Sequence, residues 1–470
     1  MNDLKIGNKV YFVGAGGIGM AALVRYFLSR GIAVAGYDRT PTPLTTALIA
    51  EGAQISFDDS MDAVPADFRD PEQVSVIYTP AVPDTNIPLR FFREGGFSVV
   101  KRSVALGAIT RDSRAMCFAG THGKTTTSSM AAHLMHTAKV GCNAFLGGIL
   151  RNYNSNLLLS TTSPFTVVEA DEYDRSFHTL HPYIAVVTAT DPDHLDIYGT
   201  EEAYLESFAH FTSLISEGGF LVCHTGLKLK PHVRDGVTVY TYAADGDDSV
   251  TFHAANIRRG AGTIVFDFVD NRPNGMSVSD IELGVPVEIN IDNAVASIAA
   301  CVLSGSVTAD DVRIAMASFQ GAERRFQFHL KETIPGGHVV IDDYAHHPDE
   351  LRQSIRSVRA LYPEAKMAVA FQPHLYSRTR DFAPQFAEAL SAADSVILLD
   401  IYPAREEPIP GVTSKIIFDE VKSEEKVMIC KENLVNTIKN INFDILLTVG
   451  AGDICNSLPA IVDTLAKSNG

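Results

Sequence analysis

An α/β fold built from successive, mainly parallel sheets is what this chain predicts. Short apolar runs alternate with helix-forming tracts from end to end, that alternation restarts twice, and two strand ends run directly into glycine-rich turns. The restarts give three domains over residues 1–110, 111–322 and 323–470. A length of 470 residues is too great for a single core and suits several.

In the first segment "KVYFVGAGG", "IAVAGYD" and "VSVIYTP" read as strands separated by helices, a doubly wound arrangement. The first strand empties into Gly14, Gly16, Gly17, Ile18 and Gly19, and Asp38 ends the second. That is the dinucleotide-binding spelling with its acidic residue about 20 positions on. Its glycines let the backbone approach a pyrophosphate at a helix N-terminus, and NAD is the default ligand of such a loop.

The pattern restarts at residues 107–113 with "GAITRDSRAMCFAG". The apolar "RAMCF" leads into Gly120, Thr121, His122, Gly123, Lys124, Thr125 and Thr126, and a helix-forming tract follows. Strand, loop and helix in that order form a phosphate-binding loop: backbone N–H groups surround phosphate oxygens, the lysine reaches the terminal phosphates, and the next hydroxyl can hold Mg²⁺. The spelling departs from the general one at Phe118, where a glycine is usual. Glu169 ends the strand "TVVEA", and His194 lies just beyond "IAVVT". Parallel strands bring such C-terminal ends together, so Thr125, Glu169 and His194 are expected around a phosphate-bound Mg²⁺. Asp171, Glu172 and Asp174 share the acidic stretch; only some of them are expected to be functional, and the rest to cap the following helix. A helix from Asp292 to Leu303 closes the domain.

The third segment begins near "FQGAERRF" and gives "HVVIDDYA", "KMAVAFQ", "SVILLD" and "ILLTVGAGD" with helices between, another α/β unit. Arg378 and Arg380 stand where a strand gives way to a helix. The planar fork of arginine suits carboxylate or phosphate there, with surface ion pairs as the plain alternative. The two histidines of "DDYAHHP" are equally compatible with a site and with an ordinary turn.

Composition narrows the function classes. A net charge of −17 argues against nonspecific nucleic-acid or membrane binding, so an anionic substrate must be met by local cations and helix N-termini. No apolar run approaches the roughly 20 residues of a membrane span, and the first strand begins too early for a cleavable leader, so a cytoplasmic protein is expected. Six cysteines without paired spacing read as thiols in a reducing compartment.

Taken together, "GAGGIGM", "AGTHGKTTT", "EADEYDRSF", "DHLDIYG", "GAERRF", "DDYAHHPDE" and "FQPHLYSRTRD" resemble, in this order, the motifs of the Mur ligase family. The resemblance spans essentially the whole chain. It implies a Rossmann-like first domain that holds the UDP part of a substrate instead of NAD, a central ATPase-like domain and a Rossmann-like third domain that closes over it. It further implies ATP-dependent joining of L-alanine to UDP-N-acetylmuramate through an acyl phosphate, in peptidoglycan precursor synthesis, with UDP-N-acetylmuramate, L-alanine and ATP as its small-molecule substrates. A muropeptide-recycling ligase that attaches a peptide is the nearest alternative, and a nicotinamide-binding regulator or dehydrogenase is one from another class.

By motif, Lys124 would steady the transferring phosphoryl group, Thr125 with Glu169 would hold one Mg²⁺ and His194 a second. Asn293, Arg325 and Asp343 would frame ATP, and Tyr344, His346, Arg378 and Arg380 would line the amino-acid side. The chain departs from the family spelling in having Ile289 where a histidine is frequent, and Leu375 where a basic residue is frequent. Lys124→Ala is expected to abolish ligation and leave the fold nearly intact.

Overall fold

The computed structural model describes residues 7–192, 195–245, 249–260, 262–332, 337–404 and 406–467. His194 therefore lies outside the described residues. Three sheets are present, as the alternation predicts, and helices connect their parallel strands.

The first sheet has the order β3-β2-β1-β4-β5, with β1 Lys9–Val13, β2 Ala33–Tyr37, β3 Gln54–Ser56, β4 Val74–Tyr78 and β5 Ser98–Lys101, and every pairing is parallel. Strand β1 is buried from Val10 to Val13 because helices cover both faces of the sheet. The strand order reverses beside β1. A crevice opens there at the carboxyl ends of the strands, and the glycine loop lies in it.

The second sheet runs β15-β14-β13-β12-β11-β10-β6-β9-β7-β8. Its strands are β6 Arg114–Ala119, β7 Asn143–Leu150, β8 Ser155–Leu158, β9 Phe165–Glu169, β10 Ile184–Val187, β11 Phe220–His224, β12 Thr238–Ala243, β13 Phe252–Gly260, β14 Thr263–Asp270 and β15 Val278–Glu282. Strand β6 lies between β9 and β10, parallel to both, with Phe118 opposite Glu169 and Ala119 opposite Val187. The connection from β9 to β10 therefore passes β6, which makes its carboxyl end a second switch point. The closing helix runs Ile289–Leu303, three residues longer at its start than the sequence suggests.

The third sheet, β16-β17-β21-β18-β19-β20, comprises β16 Gln327–Lys331, β17 Val339–Asp343, β18 Met367–Phe371, β19 Ser395–Leu399, β20 Glu425–Ile429 and β21 Ile445–Val449. Only its edge strand β16 pairs antiparallel. By packing, the chain divides into two compact units. One comprises Met1–Asn256, Phe266–Ile281 and Ile291–Phe319, and the other Ile257–Val265, Glu282–Asn290 and Gln320–Gly470. No described helix is long and apolar enough to cross a membrane.

Candidate active site

The phosphate loop forms as the residue types dictate. Gly120 has φ +143°, and a Cβ there would lie 2.1 Å from Thr188 Oγ1, so no side chain fits between the loop and the end of β10. Gly123 takes the left-handed conformation, φ +82°, as N-cap of the helix Lys124–Thr137. Thr188 ties the two arms together, donating its hydroxyl to the carbonyl of His122 while Thr121 N–H bonds Ala189 O at 3.0 Å. Thr121 Oγ1 also donates to Asp191 O at 2.7 Å, which leaves His122 as the exposed crest of the loop. Asn293 reaches the base of the helix, where its Oδ1 accepts from Thr127 Oγ1 at 3.0 Å.

Lys124 is not free in this loop. Its Nζ donates to Gly120 O at 2.7 Å and lies 2.9 Å and 2.8 Å from the two carboxylate oxygens of Glu172. The Glu172 side chain is only 1% exposed, so the pair is a buried one. Burial pushes the Glu172 carboxyl above the usual range, and Lys124 pulls it back. Glu172 is thus the partner of the phosphate-loop lysine, and its side chain makes no helix cap. Asp171 takes the local turn instead, accepting from Tyr173 N at 3.0 Å, and Asp174 pairs with Lys101.

Glu169 and Thr125 do converge. Gly147 N donates to the Glu169 carboxylate at 3.1 Å, and the nearby Thr125 hydroxyl favours its charged form. Burial nevertheless raises the Glu169 pKa, the electrostatic mark of a carboxylate placed where a cation would relieve it. One hydroxyl and one carboxylate oxygen beside a phosphate loop are hard donors that fit Mg²⁺. Among the described residues no three His, Cys, Asp or Glu side chains gather into a metal cluster.

The glycine loop of the first domain opens on the same unit. Gly14 N and Ala15 N bond Tyr37 O, and Asp38 Oδ2 accepts from Gly16 N at 2.6 Å. Asp38 Oδ1 takes Thr40 N, so this carboxylate braces the loop backbone. A cleft of about 320 Å³ runs from Gly17, Ile18 and Gly19, past Arg102, to Gly147, Glu169 and Asp171. It links the glycine loop to the acidic end of β9.

In the second unit, Arg325, Asp343, Tyr344, His346 and Arg378 gather at the carboxyl ends of β17 and β18. Arg325 lies over the Tyr344 ring at 5.6 Å, and Arg325 and Arg378 both act on His346. Burial and these cations hold His346 below its ordinary pKa, against the pull of Glu350. Asp343 is committed internally, to the Ser354 hydroxyl and Phe326 N. The Nη1 of Arg378 is buried with no hydrogen-bond partner, an unmet donor that an anion would satisfy. Arg380, by contrast, is 54% exposed and bonded to neighbouring Asp381 at 2.7 Å. Leu375 holds φ +69° at the N-cap of the helix Tyr376–Leu390, a strained conformation for a residue with a side chain.

Three family models match consecutive stretches: the Mur ligase family catalytic domain over residues 9–114, the Mur ligase middle domain over 118–301 and the Mur ligase glutamate ligase domain over 324–452. The chain belongs to the Mur ligase family. It is 55% identical over 468 residues to the UDP-N-acetylmuramate–L-alanine ligase of Phocaeicola vulgatus, covering 99% of each chain. It is 50% identical over 448 residues to the enzyme of the same name from Porphyromonas gingivalis, covering 95% of this chain and 96% of that one. Among solved structures it resembles the UDP-N-acetylmuramate-alanine ligase MurC of Thermotoga maritima, with a TM-score of 0.77 at 28% identity over 98% of this chain and 99% of that one.

Within this Mur ligase, sequence reasoning missed Glu172, Thr188 and Arg102. Glu172 had a signal, since a buried lysine demands a carboxylate and "EADEYD" supplies several, but spacing alone does not say which one turns inward. Thr188 and Arg102 carry no motif of their own and become visible only through the register of β10 and the helix Arg102–Arg111.

Proposed function

We propose that this chain joins L-alanine to UDP-N-acetylmuramate, consuming ATP. The observation that supports this best is the single cleft in which a diphosphate-type glycine loop leads to Glu169 and Thr125 at the phosphate loop. Relatives at 50% identity and above that bear this activity in their names support the substrate choice.

In this reading Gly17–Gly19 hold the UDP diphosphate, and the muramoyl carboxylate extends along the cleft toward Glu169. Lys124 leaves Glu172 for the ATP phosphates, where its charge offsets that of the phosphoryl group in flight. Thr125 and Glu169 would hold Mg²⁺, which supplies Lewis-acid neutralisation of phosphoryl oxygens when bound. Phosphorylation gives the carboxylate a leaving group, and the amine of L-alanine then displaces phosphate to form the amide. The unmet Arg378 Nη1 suits the alanine carboxylate, and neutral His346 beside it suits handling the proton of the amine. Asn293, Arg325 and Asp343 are assigned to ATP, with Asp38 and Gly14–Gly19 on the UDP side. The chain divides near residues 110 and 322. Four buried free cysteines, Cys117, Cys142, Cys223 and Cys301, support a reducing, cytoplasmic setting.

The test is phosphate release from ATP and Mg²⁺ with UDP-N-acetylmuramate, with and without L-alanine, and with L-alanyl-γ-D-glutamyl-meso-diaminopimelate in place of L-alanine. Release that depends on L-alanine is expected. Release that depends on the peptide instead would overturn the choice of amine.

A further inference from the structure

A histidine that the proposed reaction does not use anchors the helix carrying Asn293. His224 ends β11, and its ring sits between two oxygens: Nδ1 lies 2.7 Å from Thr225 O and Nε2 lies 3.2 Å from Asp292 Oδ1. A backbone carbonyl and an ionised carboxylate only accept hydrogen bonds, and a neutral imidazole carries a single N–H. Both contacts are satisfied together only when the ring is an imidazolium. His224 and Asp292 therefore form a half-buried ion pair.

The groups around the ring favour that charged state. Asp292 approaches it from the helix Ile289–Leu303 and Asp245 from the turn after β12, while Tyr242 of β12 packs at right angles to it with ring centroids 5.1 Å apart. The hydrogen bond to Asp292 raises the His224 pKa above its ordinary value against the opposing effect of burial, with further support from Thr225 O and Asp245. Burial pushes the Tyr242 phenol well above its usual range, so it stays neutral beside the pair.

Asp292 passes this anchor on to the phosphate loop. The same Oδ1 accepts from Ala244 N at 2.7 Å, so one carboxylate ties the ends of β11 and β12 to the helix. The next residue is Asn293, whose Oδ1 accepts from Thr127 Oγ1 at 3.0 Å and would lie 2.8 Å from a Cβ on Gly123. One turn later, Ser297 Oγ lies 2.8 Å from Thr127 O. His224, Asp292, Asn293 and the phosphate loop all belong to the first compact unit. Loss of one proton from His224 turns a lone pair toward Thr225 O or Asp292, and the bridge from β11 to the helix weakens.

We propose that His224 is a positioning residue for ATP: as an imidazolium bridging Thr225 O and Asp292, it sets the start of the helix Ile289–Leu303 and so places Asn293 beside the phosphate loop. This rests on the proposed assignment of Asn293 to ATP. His224 acts through Asp292 and Asn293, so it sets ATP affinity and leaves phosphoryl transfer alone. The sign follows from the raised pKa. ATP is held best while His224 is protonated, and the hold weakens as pH rises through the folded-state value.

Calorimetric titration with ATP in saturating Mg²⁺, at pH 6, 7, 8 and 9, tests this on the parent, His224→Gln, His224→Arg and Asn293→Ala. The parent Kd for ATP is expected to rise by about 5- to 20-fold across this range relative to His224→Arg, whose cation does not titrate. The arginine variant also carries the pH dependence of ATP and Mg²⁺ themselves. His224→Gln should be weaker than the parent by about the same factor at pH 6 and match it at pH 9, with Kd for UDP-N-acetylmuramate unchanged and kcat at saturating ATP near the parent value. A ratio of parent to His224→Arg that is constant with pH would overturn the proposal. So would a His224→Gln loss that extends equally to UDP-N-acetylmuramate, the mark of general destabilisation. Asn293→Ala should weaken ATP binding and make an added His224→Gln silent. ATP affinity left intact by Asn293→Ala would sink the ATP assignment of Asn293, whereas a loss there beside an unaffected His224→Gln would overturn the role of His224 alone.

Discussion

Removing Lys124 should do more than stop catalysis, because it takes a paired cation away from buried Glu172. The Glu172 side chain is 1% exposed, and Lys124 Nζ pairs with its carboxylate at 2.8 Å. With the lysine gone, the buried carboxyl is expected to take up a proton in the folded state. Keeping a glutamate protonated at pH 7, against an ordinary pKa of about 4.3 in the unfolded chain, costs about 3.7 kcal/mol. That is within the roughly 3–5 kcal/mol range for breaking one side of a buried pair.

The sign follows from proton counts. Above the unfolded value the folded variant holds one proton more than the unfolded chain, so its stability falls by about 1.4 kcal/mol per pH unit as pH rises. Lys124→Met should therefore be only about 1 kcal/mol less stable than the parent near pH 5, and several kcal/mol less stable at pH 8. For a domain of this size the loss at pH 7 is roughly 7–15 °C in apparent Tm. Lys124→Met combined with Glu172→Gln should return most of that stability while remaining inactive. Fluorescence-monitored melting of the parent, both single variants and the double variant at pH 5.5, 7.0 and 8.0 measures it. A Lys124→Met deficit that does not grow with pH, or a double variant no better than the single, would refute the reasoning. On the same ground Lys124→Ala is expected to lower stability, where the sequence alone suggests a nearly intact fold.

Other outcomes follow from the same structure. His133 is buried, accepts at Nδ1 from Tyr153 and donates through Nε2 to Ser318 Oγ, whose own proton goes to Ile314 O, and its pKa is lowered to about 4. The unfolded chain binds this proton first, so about 3 kcal/mol should be lost between pH 6.5 and 4; His133→Gln should flatten that acid limb in denaturation curves. Arg378→Ala should raise KM for L-alanine by about 10-fold or more and leave KM for ATP nearly unchanged, since its buried Nη1 awaits an anion; an effect confined to ATP would show it misplaced. Gly123→Ala should cost about 1–2 kcal/mol and ATP affinity, because φ is +82° and the new Cβ would lie 2.8 Å from Asn293 Oδ1; ATP titration with melting checks both.

Much of this protein is local and therefore legible in its sequence. The three sheets follow from apolar runs of strand length between helical tracts, and the two loops follow from glycine spacing, because backbone torsions are chosen by neighbouring residues. The resemblance of seven ordered motifs to the Mur ligases carried the activity as well. The tertiary structure decided which side chain meets which. The parallel register set Glu169 beside Thr125, and the turn after β9 sent Glu172, and neither Asp171 nor Asp174, to Lys124. Arg378 and Arg380 read alike as letters two apart in one motif. On the helix they point differently, one inward with an unmet N–H and one outward to Asp381. Arg102 had no motif at all and gains meaning only from the cleft it lines. Burial and pairing between distant segments depend on how the whole sheet packs, and no local pattern of residues records that.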